Sequence, residues 1–307
     1  MLPKSNGRES FEMGTYIDIH AHGYLEDQYH YPAHGKKPFC TPDDLLRLYD
    51  SLDIEKGCLL PAVSPESVLN TQSNEEILRF CATHPDRFVP FCNVDPRNLL
   101  NNMKSPFLRV FQWYKEKGCK GIGELTCNLR FLDERVQALF AAAEEVGFSV
   151  TFHMSPFEGE NYGLVDLPGM PGLEETLKSF PNLKLFGHSQ TFWCEIGEYK
   201  GQSVRFGYPT GPVKEGRIAQ LMRKYPNLYG DLSAGSGCNA LARDRVYAAK
   251  FLTEFQDRLM FAMDICAPDC GMSKLPALLK EMRDKGEISQ TVFDKVAHGN
   301  ARRLLGI

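Results

Sequence analysis

Four short hydrophobic runs of this chain end on residues able to bind a cation or move a proton. The first reads Tyr16-Ile17-Asp18-Ile19-His20-Ala21-His22. The others are Phe148-Ser149-Val150-Thr151-Phe152-His153, Leu183-Lys184-Leu185-Phe186-Gly187-His188 and Met260-Phe261-Ala262-Met263-Asp264. Side chains alternate along a strand, so His20 and His22 share one side, and Ile17 and Ile19 are expected to face the surrounding helices. Two imidazoles on one strand face form a metal grip, because each neutral ring offers a nitrogen lone pair at the ~2.0–2.1 Å that zinc requires. A polar strand end is the bland reading of H-x-H alone. The repetition of the pattern at His153, His188 and Asp264, with Glu124 closing Gly121-Ile122-Gly123-Glu124-Leu125, favours one shared site. Unrelated buried polar residues would each carry an uncompensated desolvation cost.

The elements that must bring these ends together follow from periodicity. Apolar, β-branched or aromatic runs at 16–19, 57–61, 88–94, 119–125, 148–152, 183–187, 227–232 and 259–263 read as eight strands, each followed by a helical pattern. Thr41 can cap a helix carrying Leu45, Leu46, Leu48, Tyr49 and Leu52. Asp133 can cap another in which Val136, Leu139, Phe140 and Ala143 recur at helical spacing before Gly147 ends it. Further helices are expected around 74–83, 105–117, 216–224, 239–255 and 273–285. This alternation is that of an α/β protein, a (β/α)8 TIM barrel, whose C-terminal strand ends meet on one catalytic face. A doubly wound sheet shares the rhythm, but no glycine-rich phosphate loop follows the first strand. No composition change divides the chain, so 1–307 reads as a single domain with 1–14 an N-terminal extension and extended loops at 23–40, after strand one, and 191–216, after strand six.

Composition narrows the partners. Thirty-five Lys and Arg against 39 Asp and Glu leave a net charge of −4, which excludes a strongly basic nucleic-acid binder. The 43% hydrophobic and 24% charged content suits a packed globular protein. Neither a signal-peptide core nor a run of ~18 apolar residues occurs, and the ten cysteines contain no C-x-x-C pair. A cytoplasmic protein with reduced core thiols, no membrane partner and a small-molecule substrate is the expectation.

Other polar residues carry weaker readings. His84 and His298 suit capping or solvated roles, and His30 and His34, beside Tyr29 and Tyr31, suit a surface loop. Cys266 and Cys270 suit packing. Arg205 and Lys214 after strand six, and Arg97 after strand three, could each grip a substrate carboxylate by two parallel hydrogen bonds, with a solvated loop cation as the alternative. Phe192, Trp193 and Tyr208 would suit a planar substrate or simply cover the barrel mouth. Asp231 and Ser233 share parity near the end of strand seven and are secondary candidates. The small-residue turn that follows could bring backbone amides near an anion or only redirect the chain.

His20-Ala21-His22, Gly123-Glu124, His153, Gly187-His188-Ser189, Asp264 and the closing Gly299-Asn300-Ala301-Arg302-Arg303-Leu304-Leu305-Gly306 together resemble the amidohydrolase-2 branch of the amidohydrolase superfamily. That branch includes metal-dependent hydrolases, lactonases and nonoxidative decarboxylases similar to aminocarboxymuconate-semialdehyde decarboxylase. The resemblance implies one divalent metal held by His20, His22, His153 and Asp264, with His188 as acid/base or second-site ligand. Glu124 keeps a bridged two-ion site open. Zinc is the metal the ligand types favour, although manganese, cobalt or iron would also fit. The implied reaction is hydrolysis of a small carboxylate-bearing amide, ester or lactone by metal-activated water, with Asp264 as base and His188 serving the oxyanion or leaving group. Nonoxidative decarboxylation of an aromatic or unsaturated acid is the alternative. A binuclear phosphodiesterase, for which the acidic balance offers no phosphate-neutralising surface, or a non-catalytic ligand-binding barrel ranks third. A homodimer is also implied.

Overall fold

The structure, a computed structural model, describes residues 14–26, 39–66, 70–159, 161–198, 200–201, 205–269 and 274–307. His30, His34 and Cys270 lie outside the described residues. Strands β1 (Tyr16–Ala21), β2 (Ile54–Leu59) and β3 (Phe88–Pro90) pair in parallel in that order. The remaining described strands are β4 (Gly121–Leu125), β5 (Ser149–Ser155), β6 (Leu164–Val165), β7 (Leu185–His188), β8 (Leu228–Asp231) and β9 (Leu259–Met260). They pair in parallel as β4-β5-β7-β8-β9, with the two-residue β6 beside the end of β5. Parallel bridges Cys92↔Ile122 and Ala21↔Ile265 join the two sheets into a closed ring of eight strands. The fold is a (β/α)8 barrel, and each of the eight runs expected from periodicity overlaps one of its strands.

Local chemistry accounts for the helices that wrap it. Thr41 and Asp44 form a reciprocal capping box at the start of helix Pro42–Leu52. Asp133 accepts from the Arg135 amide to open helix Glu134–Val146, and Gly147, at φ 79°, closes it in the left-handed conformation glycine adopts without a Cβ clash. Val136, Leu139, Phe140 and Ala143 of that helix are fully buried against the barrel. The single helix expected at 239–255 is instead two, Ala234–Ala242 and Arg245–Glu254. Asp244 separates them because its carboxylate accepts from the Tyr247 amide at 3.0 Å, restarting the helix. No helix among the described residues is long and apolar enough to cross a membrane.

The interior of the barrel corrects the expected orientation of the first strand. Ile17 and Ile19 pack with Cys58, Val89, Phe186, Tyr229 and Met260 from five other strands, while Ala301 and Leu305 of the C-terminal helix Asn300–Leu305 close the cluster. Those isoleucines therefore face inward. His20 also faces inward because the β1 register shifts between Asp18 and Ala21, which breaks strict alternation. The Asp18 carboxylate holds that irregularity: Oδ1 accepts from the His20 amide at 3.0 Å and the Met263 amide at 2.9 Å, while Oδ2 accepts from the Tyr49 hydroxyl at 2.9 Å.

Tyr49 reaches Asp18 across Gly57, where an added Cβ would lie 1.9 Å from its hydroxyl. Gly57→Ala is therefore expected to displace Tyr49 from Asp18 and destabilise the fold by about 1–3 kcal/mol. Urea denaturation followed by circular dichroism measures this, and an unchanged midpoint would contradict the packing described here.

Candidate metal centre

His20 and His22 at the end of β1, Glu124 in β4, His153 in β5, His188 in β7 and Asp264 after β9 converge at the C-terminal mouth. The Nε2 atoms of His20 and His22 face each other at 3.2 Å. Glu124 Oε2 lies 3.6 and 3.5 Å from those two nitrogens, and Asp264 Oδ1 lies 3.6 Å from each. His188 Nε2 is 3.7 Å from Glu124 Oε1 and from Asp264 Oδ2. His153 approaches by its other nitrogen, with Nδ1 2.8 Å from Glu124 Oε1. Three overlapping donor triads result: His20, His22 and Glu124; His20, His188 and Asp264; and Glu124, His153 and His188.

The outer side of each ring is also engaged. His20 Nδ1 lies 2.6 Å from Asp231 Oδ2, and His22 Nδ1 lies 2.7 Å from the Leu60 carbonyl oxygen. Both partners accept hydrogen bonds, so each Nδ1 carries a proton. When both rings are neutral, the facing Nε2 atoms present two lone pairs to each other, with carboxylate oxygens around them. A cation between them would turn that repulsion into coordination, so the donor set fits a divalent metal. Ser233 Oγ lies 2.7 Å from His188 Nδ1, and the Ser233 amide donates to Asp231 Oδ1 at 2.9 Å. Asp264 has φ 57°, a left-handed conformation that aspartate tolerates better than most residues. Its side chain keeps 28% exposure while the other members of the centre are buried, so it is the carboxylate that meets solvent.

Without a cation, the centre divides its charge unevenly. Burial opposes charge on His20, but the carboxylates of Asp231, Glu124 and Asp264 outweigh it and hold that imidazole well above its ordinary pKa. Burial likewise opposes ionisation of Glu124, yet His20 and the neighbouring histidine hydrogen bonds hold its pKa well below the usual carboxylate range. His188 goes the other way: burial, followed by repulsion from His20, lowers its pKa to about 4. Two carboxylates flank its Nε2, which favours placing the ring proton there and having Ser233 donate to Nδ1.

A family model described as Amidohydrolase matches residues 17–307. The chain belongs to the amidohydrolase family. It is accordingly an enzyme of that family. No curated protein sequence matches it. Among solved structures, an uncharacterized TIM-barrel protein of Bordetella bronchiseptica shares 17% identity over 95% of this chain and 98% of its own, with a TM-score of 0.64. The 5-carboxyvanillate decarboxylase of Sphingomonas paucimobilis shares 17% identity over 95% of this chain and 99% of its own, with a TM-score of 0.62. A probable 2-pyrone-4,6-dicarboxylic acid hydrolase of Acinetobacter baumannii, solved with citric acid bound, shares 15% identity over 95% of this chain and all (100%) of its own, with a TM-score of 0.57. These likenesses show a common barrel fold.

In this amidohydrolase several residues expected at the substrate have other positions. Arg205 is fully buried: Nη1 donates to the Asp166 carbonyl at 2.8 Å and Nη2 lies 3.5 Å from Glu195 Oε1. Trp193 is packed in the core, where Nε1 donates to the Asp231 carbonyl at 2.8 Å and braces the strand that carries Asp231. Phe192 is buried against Gly187. Arg97 is bound by Asp95 and Glu66, and Lys214 by Glu198 at 3.0 Å. Tyr208 is half exposed at the mouth, its hydroxyl accepting from Gln190 Nε2 at 3.3 Å. The described cysteines form no disulfide, and all but Cys266 are buried.

Tyr162 escaped the sequence reading. Its ring lies tilted against His153, 4.3 Å between centroids, and Gly163 lies so close to the same imidazole that an added Cβ would be 2.8 Å from Cδ2. Tyr162 sits in a loop with no periodicity to mark it.

The lowered His188 pKa makes the native state reluctant to bind a proton that the unfolded chain accepts below 6.5. Stability from this group is present above 6.5 and is lost as pH falls toward about 4. Calorimetry of the metal-free protein should show the melting temperature falling across that window. The fall should be shallower in His188→Gln; equal slopes would refute the assignment.

Proposed function

We propose that this amidohydrolase is a metal-dependent hydrolase of a small carboxylate-bearing amide, ester or lactone. The observation that carries this reading is the pair of Nε2 atoms facing each other at 3.2 Å beside a partly exposed carboxylate, Asp264. His20, His22 and Asp264 would hold the ion, and His153 would join them by way of Glu124. One ion, zinc by ligand type, is the favoured complement; the proton placed on His188 Nε2 argues against that nitrogen as a ligand to a second ion. A divalent ion here supplies Lewis acidity, polarising a carbonyl or carboxylate oxygen and acidifying water.

The chain's own residues would do the rest. Asp264 Oδ2, facing the mouth, accepts the proton of the attacking water. Neutral His188, its Nε2–H 3.7 Å from that oxygen, donates a hydrogen bond to the developing oxyanion, and the proton held by Asp264 passes to the leaving group. Ser233 fixes the His188 tautomer and Asp231 fixes that of His20. Tyr162 and the wall around His153 narrow the approach. Nonoxidative decarboxylation is the second reading, supported by the likeness to the Sphingomonas 5-carboxyvanillate decarboxylase. In it, His188 in its imidazolium form would deliver a proton to the carbon that loses carbon dioxide.

Metal content by mass spectrometry, on protein purified without chelator, is expected to be about one ion per chain. It should be lost in His20→Ala and retained in Glu124→Ala. Two ions falling together in Glu124→Ala would promote the bridged site, and none would remove the basis for this function. Asp264→Asn should lower turnover by about 10²–10⁴-fold with the fold intact. Once a substrate is found, the product separates the two readings: solvent ¹⁸O in a cleaved bond signifies hydrolysis, and released carbon dioxide signifies decarboxylation.

A further inference from the structure

Beyond the metal centre, the loop after β7 forms a second cavity of about 360 Å³ with the end of helix Ala234–Ala242. Its walls include Lys200, Lys214 and Arg243 against one carboxylate, Glu198. That carboxylate is engaged, 3.0 Å from Lys214 Nζ. Arg205, in the same loop, has Glu195 3.5 Å from its Nη2, whereas Arg243 has no such partner. Its Nε is buried without a hydrogen-bond partner, and no carboxylate pairs with its guanidinium among the described residues. The adjacent Asp244 is occupied, its carboxylate accepting from the Val213 amide at 2.9 Å and the Tyr247 amide at 3.0 Å. Burial lowers the Arg243 pKa, as expected for a cation held in a wall without a counter-ion.

The cavity is built before any ligand arrives. Its floor is an antiparallel bridge, Gly197↔Glu215, reinforced by the Glu198 amide donating to the Lys214 carbonyl at 2.7 Å. Asn239 Nδ2 donates to the Pro209 carbonyl at 3.1 Å, tying the far wall to the helix that carries Arg243. Gly197 leaves the guanidinium its place: a Cβ there would lie 2.4 Å from Arg243 Nη2. Tyr208 lines the same cavity and is linked through Gln190 to the segment just beyond His188.

The geometry points to an anion-binding subsite in this cavity, in which Arg243, supported by Lys200 and Lys214, receives a carboxylate or phosphate group. A guanidinium fork matches either oxyanion by parallel hydrogen bonds, and a partly desolvated cation gains most from such a partner. The group comes either from the distal end of a substrate held at the metal centre or from a separate anion.

The test uses full-length protein stripped of metal, so that anions cannot bind through an ion at the His20–His22 centre. Inorganic phosphate and glutarate are titrated calorimetrically into wild type, Arg243→Gln, Arg243→Lys and, as a remote control, Lys178→Gln. Saturable binding of one anion per chain is expected. It should weaken about ten-fold or more in Arg243→Gln, partly recover in Arg243→Lys and stay unchanged in Lys178→Gln. Gly197→Ala, which crowds the guanidinium without removing it, should also weaken binding and serves if Arg243→Gln does not fold. No saturable binding by wild type, or equal binding by a folded Arg243→Gln protein, overturns the proposal. Because the metal is absent, that failure is distinct from failure of the hydrolase reading. In the metal-loaded protein, phosphate competing with a bound dicarboxylate assigns the subsite to the distal group of a substrate. Simultaneous binding assigns it to a separate anion.

Discussion

A single buried carboxylate holds the seam at which the barrel closes. Asp18 accepts the amides of His20 and Met263 and the Tyr49 hydroxyl, so one side chain ties β1, the segment following β9 and helix Pro42–Leu52 together. Burial raises its pKa to about 7, a penalty only partly offset by those donors. What the fold gains is placement. Drawing in the His20 amide breaks the alternation of β1 and turns His20 to the same side as Ile19, and holding Met263 fixes the residue immediately before Asp264. Both ends of the candidate donor set therefore depend on the same carboxylate.

Around that seam the histidines are held from behind. Asp231, the Leu60 carbonyl, Ser233 and Glu124 engage one nitrogen each of His20, His22, His188 and His153. Glu124 is itself positioned by Asn93, whose Nδ2 donates to its backbone carbonyl at 2.6 Å. Trp193 donates to the Asp231 carbonyl, so a residue that sequence alone would offer to a substrate instead supports the strand behind His20. Such outer partners decide which nitrogen lone pairs face inward, and hence whether the pocket can accept a cation.

The legible part of this protein was its repeating part. Apolar runs ending on His153, His188 and Asp264 announced both the barrel and its mouth, because a parallel barrel places every C-terminal strand end on one face. Parity picked out Asp231 and Ser233. It misplaced Ile17 and Ile19, since alternation contains no information about a register shift produced by the side chain of Asp18. Loop residues were less legible still. Arg205, offered as a grip on a substrate carboxylate or a solvated loop cation, is fully buried; Tyr162 carried no signal, because only the folded loop brings its ring to His153. The break at Asp244 was hidden by apolar periodicity that continues across both helices, although a capping aspartate stood at the junction.

The contact between Asp18 and the Met263 amide spans 245 residues, and the interior cluster beginning at Ile17 is completed by Leu305 of the terminal helix. On a ribosome, the first two imidazoles emerge long before the carboxylate they will face. Loop-closure entropy grows only logarithmically, so this separation costs little in final stability and much more in time. A nascent chain halted before β9 would carry His20 and His22 on an unclosed edge, with nothing to hold Asp264 against them. The complete donor set thereby comes together only when synthesis of the barrel is nearly complete.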